Sequence, residues 1–128
     1  MKRGLLLFAH GARDPRWAIP FEGIARRVRQ GSDGAAVELA YLEFMSPDLR
    51  TAAERLVACG CEQVDVVPLF LGAGGHVRKD LPILLGELVA AHAQVQWHLQ
   101  PAIGEIDSVV EAMALAVLAL APPAQRPV

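Results

Sequence analysis

Residues 63–76, QVDVVPLFLGAGGH, decide the fold. Gln63–Leu71 is a nearly unbroken apolar run, the pattern of a strand covered on both faces and therefore central in a parallel sheet. Pro68 removes one ladder donor, so a bulge or a strand end is expected there. Gly72, Gly74 and Gly75 then make a turn. A helical pattern follows from about Val77 to His92, with a break expected near Pro82.

Working outward, the same alternation repeats on both sides. Leu5–Ala9 (LLLFA) is another continuous apolar run and reads as a buried strand. Pro15 opens a helical stretch that ends at Gly31, with Ile19, Ala25 and Val28 on one stripe. Ala36–Phe44 (AVELAYLEF) reads as the second strand. Ser46 fits a helix N-cap, Pro47 the first helical position and Asp48 the positive end of the dipole; the helix runs to about Ala58. On the C-terminal side, Val95–Leu99 alternates cleanly, with Val95, Trp97 and Leu99 on one face and Gln96 and His98 on a wet one, as in an edge strand. A last helix spans about Ile106–Ala121, with Ile106, Val109, Val110, Met113 and Val117 along one stripe. Strand and helix alternating in this way define an α/β, three-layer, doubly wound sheet of about four parallel strands, with expected order 2-1-3-4. Residues 1–121 form a single domain in this reading, and 122–128 a frayed tail.

Composition agrees. The chain has 128 residues, 53% apolar and 20% charged, which suits one globular domain and not a disordered linker. Twelve Lys and Arg against fourteen Asp and Glu give a formal charge of −2, so neither nucleic acid nor a membrane surface is an expected partner. Cys59 and Cys61 stand one residue apart and read as ordinary thiols of a reducing cytoplasm. The opening MKRGLLLFAHG has too short an apolar run for a signal peptide, and Ala112–Ala121 is too short for a membrane span.

In a doubly wound sheet, ligands sit beyond the carboxyl ends of the strands where the winding reverses. His10 follows the first strand, Glu43 closes the second, and His76 ends the glycine turn after the third. Each alone suits a structural role, but all of them at one rim can bind a metal or move a proton. Arg13 and Arg16 follow His10, and Arg78 and Lys79 follow His76. They are either solvated loop charges or a positive collar for a polycarboxylate ligand. GxGxxG, GxxxxGK[ST] and GxSxG motifs are missing, the triplet at His10 begins with Ala9 where a histidine phosphatase needs Arg, and the cysteine pair lacks partners for a zinc site. His92 suits a helix end and His98 the wet face of an edge strand.

The segments LLLFAHGARDPRW, ELAYLEFMSPDL and VDVVPLFLGAGGHVRKDLP together resemble the CbiX/SirB-type class II tetrapyrrole chelatases, over about Leu5–Ile103. Ala12 departs from the family, which often has Ser there. The resemblance implies insertion of a divalent metal, with Co²⁺ leading and Fe²⁺ or Ni²⁺ also open, into sirohydrochlorin. The metal is then a substrate, and no organic cofactor is needed. It makes His10 and His76 metal ligands, with Glu43 the matching acidic residue, either a further ligand or a proton acceptor. Substrate contacts are expected from Arg13, Arg16, Gly74, Gly75, Arg78 and Lys79. Long members carry two such halves, so a single half implies a homodimer. The helix at Ile106–Val117 either joins that interface or, as in most such sheets, covers its own strands. A non-catalytic metal or tetrapyrrole carrier with the same rim, and a small signalling domain, stay open.

Overall fold

A computed structural model of the chain describes residues 1–72 and 74–121, with 75–77 described by backbone alone. The expected frayed tail, 122–128, lies outside the described residues. The strands are β1 (Arg3–Ala9), β2 (Ala36–Tyr41), β3 (Gln63–Pro68) and β4 (Gln96–Leu99). They pair in parallel in the order β2-β1-β3-β4, as expected. The helices are α1 (Ala18–Gly31), α2 (Leu49–Ala58), α3 (Gly75–Ala91) and α4 (Asp107–Leu120).

The pleat divides β1 between two cores. Leu6 and Phe8 face α2 and α3, where Leu49, Ala52, Ala53, Leu56, Leu81 and Leu88 close over Val64, Val66 and Trp97. Leu7 and Ala9 face α1, where Ala18 and Ala25 close over Val37, Leu39 and Tyr41. A central strand apolar on both sides is the physical content of the unbroken LLLFA run.

Several boundaries move. β2 stops at Tyr41 and not Phe44, because Tyr41 N–H donates to the Pro47 carbonyl and Phe44 takes a left-handed φ of 67°. The following helix starts at Leu49, not Ser46. Asp48 is the cap, its Oδ1 accepting the Thr51 N–H at 2.8 Å, and the Ser46–Pro47 peptide before it is cis. β3 ends at Pro68: Leu69 N–H donates to Phe8 on the β1 side, so the nitrogen of Pro68 faces the side where β4 is ending.

On α1, a short 3-10 turn at Pro15–Trp17 precedes the helix. The buried stripe is Ala18, Phe21, Ala25 and Val28, while Ile19 is 64% exposed, so its expected place on that stripe is wrong. α3 runs unbroken through Pro82, which is exposed, on the side where a missing N–H costs least. In β4 the expected face holds: Val95 and Trp97 are buried on it, while Leu99, on the same face, is 37% exposed and borders an open pocket of about 200 Å³ beside Pro82. The last helix departs furthest. α4 buries none of its residues and does not cover the sheet.

Candidate active site

β1 and β2 lie in register through Ala9 and Tyr41, and their ladder continues past both strand ends. Leu42 N–H donates to Ala9, and Glu43 N–H donates to the His10 carbonyl at 3.1 Å. The backbone thereby sets His10 and Glu43 side by side on the rim. Gly11 makes this approach possible. Its φ is 92°, and a Cβ there would run into the carbonyl oxygen of Glu43. Phe44, left-handed after Glu43, turns its ring under the Arg13 guanidinium at 4.4 Å.

The His10 imidazole is about half exposed and meets the Phe70 ring edge-on at 6.3 Å. Its Nδ1 lies 3.3 Å from the Gly11 carbonyl and 3.8 Å from Glu43 Oε1. Both neighbours are acceptors, so in the neutral ring they favour the tautomer with its proton on Nδ1, which leaves the Nε2 lone pair to a ligand. Carboxylate and carbonyl oxygens commonly fix a metal-binding imidazole in this way. Glu43 is equally exposed and reaches solvent directly.

β3 is the next strand over, and the chain leaving it holds the same rim. Leu69 N–H donates to Phe8, and Gly104 N–H donates to the Phe70 carbonyl. Gly104 passes so close to Leu71 that no side chain fits there. Gly74 caps α3 through its backbone, with Arg78 N–H donating to its carbonyl. His76 therefore stands in the first turn of α3; its side chain, with that of Val77, lies outside the described residues. Among the described residues no group of three or more His, Cys, Asp and Glu surrounds a metal position.

The expected collar is only partly free to face a ligand. Arg16 forks onto Asp14, with its Nη2 2.8 Å from Oδ2, which holds the Asp14 carboxyl below its ordinary range. Arg78 lies 3.5 Å from Glu105. Arg13 stacks on Phe44, and Lys79 is exposed. A cavity of about 930 Å³ runs beside the histidine and not over it. It follows the outer edge of β2 past Arg26 and Arg29 and meets the rim at Arg13 and Phe44. Phe70, Phe44 and Gly11 were not singled out from sequence, although Phe70 stands within the PLFL run and Gly11 directly follows the histidine.

Comparison with known proteins adds identity to this geometry. The CbiX family model matches residues 4–118. Sirohydrochlorin cobaltochelatase of Saccharolobus solfataricus is 39% identical over 83 residues, 65% of this chain and 63% of that protein. Sirohydrochlorin cobaltochelatase of Methanopyrus kandleri is 33% identical over 82 residues, 64% of this chain and 57% of that one. The match thus spans about six-tenths of the length of these curated relatives. Among solved structures, a CbiX protein of Marinobacter aquaeolei is 38% identical, with a TM-score of 0.81 over 91% of this chain and 95% of that one. SirB from Bacillus subtilis subspecies spizizenii, in complex with cobalt, shares the fold at a TM-score of 0.83 over 94% of this chain and 52% of its own, at 23% identity.

Proposed function

The chain belongs to the CbiX family, and from that premise we propose that it inserts a divalent metal, Co²⁺ foremost, into sirohydrochlorin as a step of cobalamin biosynthesis. The observation that carries this reading is the His10–Glu43 pair at the rim, whose acceptors beside Nδ1 favour the tautomer that leaves Nε2 to a metal. His76, in the first turn of α3, supplies the second imidazole. An imidazole pair binds late divalent ions without strong choice among them, so Fe²⁺ and Ni²⁺ are accepted in vitro as well.

Metal insertion expels the pyrrole N–H protons of the macrocycle. Glu43, half exposed beside His10, accepts them and releases them to water, while the Gly11 carbonyl keeps the imidazole tautomer fixed. The macrocycle's carboxylates meet Arg13, Arg78 and Lys79, with Arg16 available once it leaves Asp14; Gly74 and Gly75 let the backbone approach closely. No organic cofactor takes part. Pairing of two copies belongs to this reading on the family resemblance alone. A cytoplasmic setting fits Cys59 and Cys61, which are both free thiols, and no described helix is long and apolar enough to cross a membrane.

The test is to mix the full chain with sirohydrochlorin and excess Co²⁺ and follow the visible spectrum. A chelatase yields many equivalents of cobalt product per subunit. A product that stops at the stoichiometric complex makes the protein a carrier and overturns the reading.

A further inference from the structure

The outer edge of β2 is closed at two points and open between them. Alternate residues of a strand point their backbone groups the same way. Leu42 N–H turns inward to Ala9 and Tyr41 N–H outward to the Pro47 carbonyl, so Val37, Leu39 and Tyr41 present their backbone to the outside. The Val37 carbonyl accepts from Arg29 Nη2 at 3.3 Å. Leu39, midway, lines the groove of about 930 Å³ and keeps both its N–H and its carbonyl without a partner on that side among the described residues.

A second pair of polar groups opens on the same groove. Tyr41 is 4% exposed, and its hydroxyl has no hydrogen bond among the described residues. No fully enclosed side-chain polar atom among those residues lacks a partner, so this hydroxyl reaches the groove that Tyr41 lines. Burial and the nearby Glu22 carboxylate push its pKa up, which keeps it a neutral donor near pH 7. Tyr41 beside Glu22, like the two backbone groups of Leu39, sets a donor next to an acceptor. A peptide backbone satisfies both, whereas a bare anion satisfies donors alone. The groove is also basic, with Arg13, Arg26, Arg29 and Arg55 against Glu22 and Glu38. Arg55 holds Glu38 at 3.4 Å, and Arg26 makes no ion pair among the described residues.

We infer that this groove binds a short, extended, acidic segment of a partner protein, with its central residue paired to Leu39 and a carboxylate side chain on Arg26 and Arg29. The residue opposite Leu39 exchanges two hydrogen bonds with it. Directly opposed residues share a face of the sheet, and Leu39 packs toward α1, the helix that carries both arginines. The span from Val37 to Tyr41 is about 13 Å, room for four or five extended residues. The occupant is not the β2 of a second copy. With Val37 and Tyr41 already covered, one open residue is too little for strand-to-strand pairing. The groove meets the rim at Arg13 and Phe44, so the segment holds its protein beside the site and leaves His10 uncovered.

Fluorescence anisotropy of a fluorescein-labelled Glu-Val-Glu-Val-Glu amide, titrated with the full chain, tests the site. Saturable binding is expected, and the matching peptide with Lys for Glu is expected not to bind. N-methylation of the central Glu removes the donor to the Leu39 carbonyl and is expected to weaken binding by about 10-fold or more. Arg26→Glu, an exposed change on α1, is expected to weaken it by about 10-fold, and Tyr41→Phe by about 3-fold, each with an unchanged far-ultraviolet circular dichroism spectrum. Absence of saturable binding overturns the proposal. So does equal affinity for the N-methylated peptide, which removes the pairing with Leu39, and so does full affinity in Arg26→Glu, which places the peptide elsewhere. Displacement by glutarate or phosphate as effective as that by unlabelled peptide makes the groove a small-anion site and also overturns it. None of these readouts involves metal or tetrapyrrole, so their failure is distinct from failure of the chelatase reading.

Discussion

His10 and Glu43 owe their contact to a backbone event, the continuation of the β1–β2 ladder past both strand ends, and only then to charge. Substituting the exposed imidazole therefore tests chemistry with little effect on the fold. His10→Ala is expected to abolish cobalt insertion while changing unfolding free energy by less than about 0.5 kcal/mol, measured by urea denaturation. Gly11→Ala is expected to fail differently. The new methyl meets the Glu43 carbonyl at a positive φ, so stability falls by roughly 2 kcal/mol and the rim shifts with it. A Gly11→Ala protein with wild-type stability and insertion rate contradicts the role given to that turn. At this scale the sequence announced His10, Glu43 and the turn of His76 through their place at strand ends. It did not announce the tautomer, because that depends on the Gly11 carbonyl and Glu43 lying on the same side of the ring, a matter of tertiary geometry. It also left Arg16 as a collar residue, since the fork onto Asp14 appears only once the Pro15–Trp17 turn brings them together.

Among the elements, α2 is the one whose start the sequence misplaced and whose cap the structure defines. Ser46, Pro47 and Asp48 all suit a helix entrance, and local chemistry alone does not choose among them. Asp48 wins because its carboxylate reaches the Thr51 N–H, a bond that holds its pKa below the ordinary value. A depressed carboxyl pKa contributes stability above the unfolded value of about 3.9, and that contribution is lost as pH falls through the folded-state value. Asp48→Ala is accordingly expected to cost about 1 kcal/mol near neutral pH and markedly less in acid, read from thermal melts across pH. An equal cost at both ends of the range contradicts the charged cap. The inner face of the same helix is held by packing. Leu56, 1% exposed, is expected to cost about 3 kcal/mol as Leu56→Ala. The strands were legible because their apolar runs are decided by burial on both faces, and β3's end was marked by Pro68. Ile19 and Leu99 were not, because periodicity gives a face and leaves open whether anything covers it.

For the whole molecule, strand order followed from right-handed crossovers and the apolar content of β1 and β3, and it places the rim at the β1–β3 switch point. α4 shows where that logic stops. Its stripe reads as sheet cover, yet in the folded chain it covers nothing, and a pattern of apolar residues does not say whether its partner lies in the same chain. The central claim is that His10 and His76 serve one metal. The most direct measurement is an anomalous difference map at the cobalt edge from crystals of the protein equilibrated with Co²⁺. A peak about 2.1 Å from a ring nitrogen of each histidine, Nε2 in His10, is predicted. A cobalt peak bound elsewhere, or one that His10 holds without His76, contradicts it.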